Sequence, residues 1–390
     1  MEKVVNTTIM TLARGNPDGA AKVFDLEGTT ELLKRNPHAE FKIPNVGGIK
    51  DFDDLERFIR SVLRLQVFRV QHSANLFKDD SNNVVALYAE VFGCLCRFDL
   101  AMTGVGFFKS IVAQCKKDMK LYWNMPVQTL DKHVESIISE LRTIFTTYKA
   151  NQINKGVLLA LNNLFWFYFQ INQFQQCTFL VRPIKDQIDS LLVGTEKSYI
   201  VTFYYYFGKL KIYEGQHREA AEYLERAFQM CHKKFAGHRV KILRLLVPFK
   251  MMCGYMPSKR LIEEHGLQEY LDLMEAVRRG DLKMLEVCKQ KYKRQWIKRG
   301  IYFLVDNLEL ILIRRLFKLV WLLNEKKTIL STELFQRALN FRSTYKFDIY
   351  ETENIVGNLI MKGYIRASVF PEQKKTVFPA ENAFPPLVSQ

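Results

Sequence analysis

With 390 residues the chain has room for two or three domains, and 48% hydrophobic with 13% aromatic content excludes a disordered or fibrous protein. Lys plus Arg number 57 against 41 Asp plus Glu, a formal net charge of +16 that favours polyanionic partners. The 7 cysteines sit at irregular spacings, which argues against a disulfide framework and for a reducing compartment, nuclear or cytosolic.

Met1 to Leu12 lack a basic segment followed by an unbroken apolar run, so no signal peptide is expected. Residues 1–50 are weakly patterned and broken at Gly15-Asn16-Pro17, Asn36-Pro37 and Pro44 to Gly48. From Asp51 the pattern is helical. Asp53 or Asp54 is a candidate cap for a stripe of Leu55, Phe58, Ile59, Val62 and Leu65, and similar stripes recur near 84–98, 130–148, 155–171 and 199–213. No β-alternation is evident before residue 364. One unit has tetratricopeptide-like spacing: Tyr204, Gly208, Gly215, Ala220, Leu224 and Ala227. Its small residues let two antiparallel helices approach. Other helical pairs match poorly, which implies a degenerate TPR-like solenoid. The expected divisions are 1–50, a solenoid over 51–200, a further helical part over 201–325, and 326–390.

Between Lys233 and Lys318 there are 20 basic and 9 acidic residues, so this window carries most of the net charge. Within it, Lys289, Lys291, Lys293, Arg294, Lys298 and Arg299 are interleaved with Tyr292 and Trp296 and with no acid. On a helix, Lys289, Lys293 and Arg294 are expected to share a face, with Tyr292, Trp296 and Ile297 turned inward as core. Such a strip tracks phosphates without reading sequence, and six neutralised phosphates on a single strand give a salt slope of about −4. Arg278, Arg279 and Lys283 flank a loop at Gly280-Asp281 and extend the strip. Ile301 to Leu323 is long and apolar, but Asp306, Glu309, Arg314, Arg315 and Lys318 make it a buried helix, not a membrane span.

The last 65 or so residues read as helix, turn, helix, hairpin. Leu334, Phe335, Ala338 and Leu339 mark one helix; Ile355, Val356, Leu359 and Ile360 mark a second, ending at Lys362-Gly363. Two β-prone runs follow, Tyr364 to Phe370 and Thr376 to Phe378. This is a winged helix. Arg366 falls at the start of the first wing strand and Lys374 and Lys375 at the wing tip, where charges suit a nucleic-acid backbone. The second helix begins with Asp348, Glu351 and Glu353, which repel phosphates and argue against groove reading.

No catalytic pattern emerges. Thr103 to Ser110 lacks the glycine before Lys109 that a phosphate loop needs. Cys94 and Cys96 point to different sides of a helix, and Cys231, His232, His238 and Cys253 match no zinc spacing. Glu263-Glu264-His265 is a helix end. A non-enzyme without cofactor or metal is expected.

A helical stack ending in a winged helix is the layout of a PCI domain. Three segments carry a closer resemblance: Ile242 to Pro257 with its Val-Pro-x-Lys-Met core, Gly357 to Ile365, and Asn382 to Leu387. Together they make the chain similar to the PCI-domain-containing protein 2 family over roughly residues 200–390, and related to signalosome-associated PCI proteins. The resemblance implies a mainly α fold and a scaffold subunit of a nuclear transcription-coupled mRNA-export complex at the pore. It further implies pairing with a larger GANP-type PCI subunit, a small acidic disordered subunit, and RNA or DNA bound largely without sequence preference. The partner contact is expected on the winged helix and Ile301 to Leu323, with Leu243 to Met256 packed internally. The alternative is a purely protein–protein subunit of a signalosome-like or proteasome-lid-like assembly.

Overall fold

A computed structural model describes residues 2–13, 20, 29, 52–71, 81–97, 100–123 and 132–387. The described chain is mainly α-helical and divides into two compact units, Met1–Tyr206 and Phe207–Gln390. Most of the expectation for residues 1–50 lies outside the described residues, but Glu2–Ala13 forms a helix, α1, in the stretch read as weakly patterned.

In the first unit, α2 (Phe52–Gln71), α3 (Ser81–Arg97), α4 (Leu100–Trp123), α5 (Lys132–Ala150) and α6 (Asn154–Gln170) make the stack. α3 packs on both α2 and α5, and α5 packs on α6. The α2 stripe of Leu55, Phe58, Ile59, Val62 and Leu65 is wholly buried, as a 3.6-residue period requires of a core face. Asp53 and Asp54 lie inside the first turn of α2 instead of capping it, where they still complement the helix dipole. Thr103 to Ser110 belongs to the continuous helix α4, so no phosphate loop forms there. α6 is buried nearly all round, from Gly156 to Phe169. Short helices α7 (Phe174–Val181) and α8 (Ile188–Leu192) follow.

A buried polar network ties three of these helices. Asp118 of α4 accepts hydrogen bonds from Arg69 of α2 at 2.7 Å, from the Tyr88 hydroxyl of α3 at 2.6 Å, and from Gln114 at 3.0 Å. The carboxylate meets a guanidinium and two neutral donors, so its burial is compensated.

The unit boundary falls within α9 (Lys197–Tyr213). Next come α10 (His217–Met230), α11 (Ala236–Met252), α12 (Lys259–Glu264), α13 (Glu269–Arg279), α14 (Leu282–Arg299) and α15 (Tyr302–Leu323). The tetratricopeptide-like approach is real: a Cβ on Gly208 would meet Leu224 Cγ at 2.9 Å, and Ala220 and Ala227 are fully buried. α15 is the hub of this unit, packing on α11, α13, α14 and the first helix of the winged helix.

The winged helix runs β1 (Ile329–Ser331), α16 (Thr332–Arg342), α17 (Ile349–Met361), β2 (Ser368–Phe370) and β3 (Lys375–Val377). The strands form an antiparallel sheet in the order β1-β3-β2, with Leu330 opposite Thr376 and Val369 opposite Thr376. β1 corrects the reading of no strand before residue 364; three residues are too few for an alternation to register. β2 is shorter than its β-prone run, Tyr364 to Phe370, and β3 is shifted by one residue from Thr376 to Phe378.

Two of the three segments that carried the family resemblance meet at Arg314, and the third, Ile242 to Pro257, meets one of them at Leu387. Its guanidinium, buried on α15, donates to the Tyr364 carbonyl at 2.8 Å and to the Pro385 carbonyl. Phe384 stacks on Phe378 and lies 5.4 Å from Trp321. Gly254, in the left-handed conformation at φ 84°, gives way to Leu387, whose Cβ would stand 3.3 Å from a Cβ placed there. Motifs 130 residues apart in sequence are thus parts of one joint; of Leu243 to Met256, expected to pack internally, the part to Met252 does so, whereas Tyr255 and Met256 are exposed.

Candidate nucleic-acid interface

α14 begins where the Asp281 carboxylate accepts from the Met284 amide at 3.2 Å and ends at left-handed Gly300. Its inward row is Leu285, Cys288, Lys289 and Trp296, all buried. Trp296 is fully buried with its ring 5.5 Å from Tyr292, so it is core. Lys289 corrects the expectation of an exposed basic face. It lies on the buried side, 2.8 Å from Asp306 and 2.9 Å from Glu309 of α15. Burial opposes its charge, but these carboxylates outweigh it and raise its pKa. The sequence carried the signal: 285, 289, 292 and 296 follow the i, i+4, i+7, i+11 spacing of a core row.

Two further strip cations also brace the fold. Lys291 lies 3.0 Å from Asp272, and its hydrogen bonds to Tyr292 and Asp272 hold its pKa above the usual lysine value. Arg299 pairs at 2.6 Å with the buried Glu269. What remains is an outer row. Lys293, Arg294 and Lys298 are exposed and have no carboxylate partner among the described residues. Ile297, expected in the core, is 56% exposed within this row.

The wing differs in detail from expectation. β2 ends at Phe370 and β3 begins at Lys375, so Lys374 closes the turn at the wing tip and Lys375 is the first residue of the strand that follows. Lys374 has φ 49° and reaches Glu333 of α16 at 3.7 Å. Lys375 is an exposed strand residue opposite Ser331 and Phe370. Arg366 is exposed but precedes β2 by two residues, its amide donating to the Ala383 carbonyl at 2.8 Å.

The wing and α14 are linked by residues that sequence reasoning missed. Glu333, Arg337 and Phe341 lie at i, i+4, i+8 on α16. Arg337 approaches Glu333 at 4.0 Å, and Phe341 is 70% exposed with Lys283 of α14 at 6.0 Å from its ring centre. Phe335 and Leu339 set the core phase of α16, and Phe341 is out of that phase, a signal that was available.

The acidic start of α17 is used internally. Asp348 accepts from the Glu351 amide at 2.7 Å while Glu351 accepts from the Asp348 amide at 2.9 Å, a capping box. Fixed carboxylates at that helix start keep it from a phosphate-lined groove. Among the described residues no group of three or more His, Cys, Asp or Glu is placed to hold a metal ion, and no helix is long and apolar enough to cross a membrane.

No protein-family model matches the chain. It is 33% identical over 263 residues to PCI domain-containing protein 2 of Xenopus laevis, covering 66% of this chain and 65% of that protein. It is 31% identical over 265 residues to the Drosophila melanogaster homologue, covering 67% of this chain and 66% of that one. It is 30% identical over 196 residues to Protein CSN12 homolog of Schizosaccharomyces pombe, covering 50% of this chain and 46% of that protein. The chain thus matches just under two thirds of the length of the first relatives. A helical stack with a winged helix locked to it by the signature segments agrees with that likeness, and the chain belongs to the PCI domain-containing protein 2 family.

Proposed function

We propose that this chain is a non-catalytic scaffold subunit of a nuclear, transcription-coupled mRNA-export complex, with association at the nuclear pore. It pairs with a larger GANP-type PCI subunit and a small acidic disordered subunit, and contributes a basic surface for RNA or DNA. The observation that carries the nucleic-acid part is the outer row of α14, where Lys293, Arg294 and Lys298 stand without carboxylates beside a winged helix. Arg366 and Lys375 supply further exposed cations. Lys289, Lys291 and Arg299 are weaker candidates for phosphate contact because each already pairs with a carboxylate.

Five phosphate contacts on a single strand give a slope of log Kobs against log salt of about −3.5. A salt series with Lys293→Glu, Arg294→Glu and Lys298→Glu combined should weaken binding and reduce that slope by about 2. An unchanged slope would mean that the strip is not the site.

A purely protein–protein role in a signalosome-like or lid-like assembly is the second reading. The likeness to Protein CSN12 homolog and the internal pairing of half of the strip favour it. Absence of nucleic-acid binding by the wild-type chain, alone and with a PCI partner, would select it.

A further inference from the structure

We propose that Phe341 is a stacking platform for an unpaired base, so that this surface prefers single-stranded to double-stranded nucleic acid. The inference rests on the nucleic-acid reading above and adds the class of ligand.

A single exposed apolar side chain is ordinary; the setting of Phe341 is not. Its ring is 70% exposed at the last turn of α16, with the Lys283 ammonium 6.0 Å and the Arg342 guanidinium carbon 5.4 Å from its centre. Arg342 is held in place by Asp281 at 3.0 Å, the same residue that caps α14. Phe341 therefore stands where the face of α16 meets the start of α14. One arm runs back through Arg337 and Glu333 to the wing residue Lys374, with Glu333 matched by those two cations. The other arm runs from Lys283 to Arg294 and Lys298, about 16 Å along the helix from Lys283 to Arg294.

A cationic track interrupted by an open aromatic face suits a strand whose bases are free to turn. The cations take the backbone, and the ring takes a base without selecting its identity. A duplex gains nothing from Phe341 unless a base is unstacked first, at a cost of a few kcal/mol. The capping-box carboxylates of α17 further disfavour insertion into a duplex groove.

The test uses the full-length chain, a fluorescein-labelled 15-nucleotide oligo(U) and a 15-base-pair duplex. Phe341→Ala should lose about 10-fold in affinity for oligo(U), leave duplex binding unchanged and keep the wild-type salt slope, because no charge is removed. Phe341→Trp should restore the affinity, and its indole emission should be quenched by oligo(U). If Phe341→Ala binds oligo(U) like wild type while the triple reversal on α14 weakens it, stacking is refuted and the basic surface stands. Equal losses on oligo(U) and duplex also refute stacking. If wild type binds neither probe, or the triple reversal changes nothing, the nucleic-acid reading itself falls and this inference with it.

Discussion

The two units handle charge in opposite ways. In the first, the arginines of α2 have partners. Arg57, Arg60 and Arg64 line a groove of about 830 Å³ on α2, and they pair with Asp54, Glu56 and Glu90. The buried carboxylate of Asp118 is matched by Arg69. In the second unit, Arg314 is buried against carbonyl oxygens with no carboxylate, and the outer row of α14 is left open. A basic row is therefore not in itself a binding site. What marks a candidate is an excess of cations over the carboxylates within reach.

The largest expected effect breaks the matched pair. Asp118→Ala strands the Arg69 guanidinium, which is only 16% exposed, and should cost about 3–5 kcal/mol, read as a fall in the urea midpoint. Arg314→Met comes next. It leaves two carbonyls without their charged donor and loosens the C-terminal strap, at a cost of about 3 kcal/mol by thermal melting, with faster proteolysis after residue 378.

A smaller effect separates the two basic rows. Reversing Lys293, Arg294 and Lys298 should reduce the salt slope by about 2 with little change in melting temperature, whereas Arg57→Glu, Arg60→Glu and Arg64→Glu together should leave the slope unchanged. Equal slopes for both sets would erase the distinction drawn between the units.

A last test concerns a cation of the first unit. Lys116 of α4 has no carboxylate beside it among the described residues; its ammonium sits 5.2 Å from the centre of the Trp166 ring. Burial pushes its pKa down to about 7. The folded value lies below the unfolded one, so the unfolded chain binds more protons between pH 7 and about 10, and stability rises with pH across that window. Urea midpoints at pH 7 and pH 9.5 should show this rise reduced in Lys116→Met. An identical rise in both proteins would remove Lys116 as its source.

Much of the fold was legible because it is periodic. The stripe from Leu55 to Leu65, the helix at Ile301 to Leu323 and the winged-helix pattern each repeat at 3.6 residues over several turns; the first stripe is wholly buried, and Phe335, Leu339, Val356 and Leu359 are the buried centre of the last. α1 and β1 were not read: one lacks a strong stripe, and the other is too short to show a period. For the candidate site, a run of cations was visible, but only helical phase separates Lys289 from Arg294, five residues later. Phe341 was hidden for another reason. It stands 58 residues beyond Lys283 and comes beside that lysine only through the tertiary fold.

The sequence by itself determined the helical stack, the winged helix, the charge excess and the three signature segments, because backbone propensity and hydrophobic period act over short distances. Tertiary structure decided which cations are open and why the signatures occur together. Asp272, Asp306 and Glu309 reach the strip from neighbouring helices, and Arg314 binds carbonyls 50 and 71 residues away. Charge pairing depends on distance in space, which a linear count does not contain.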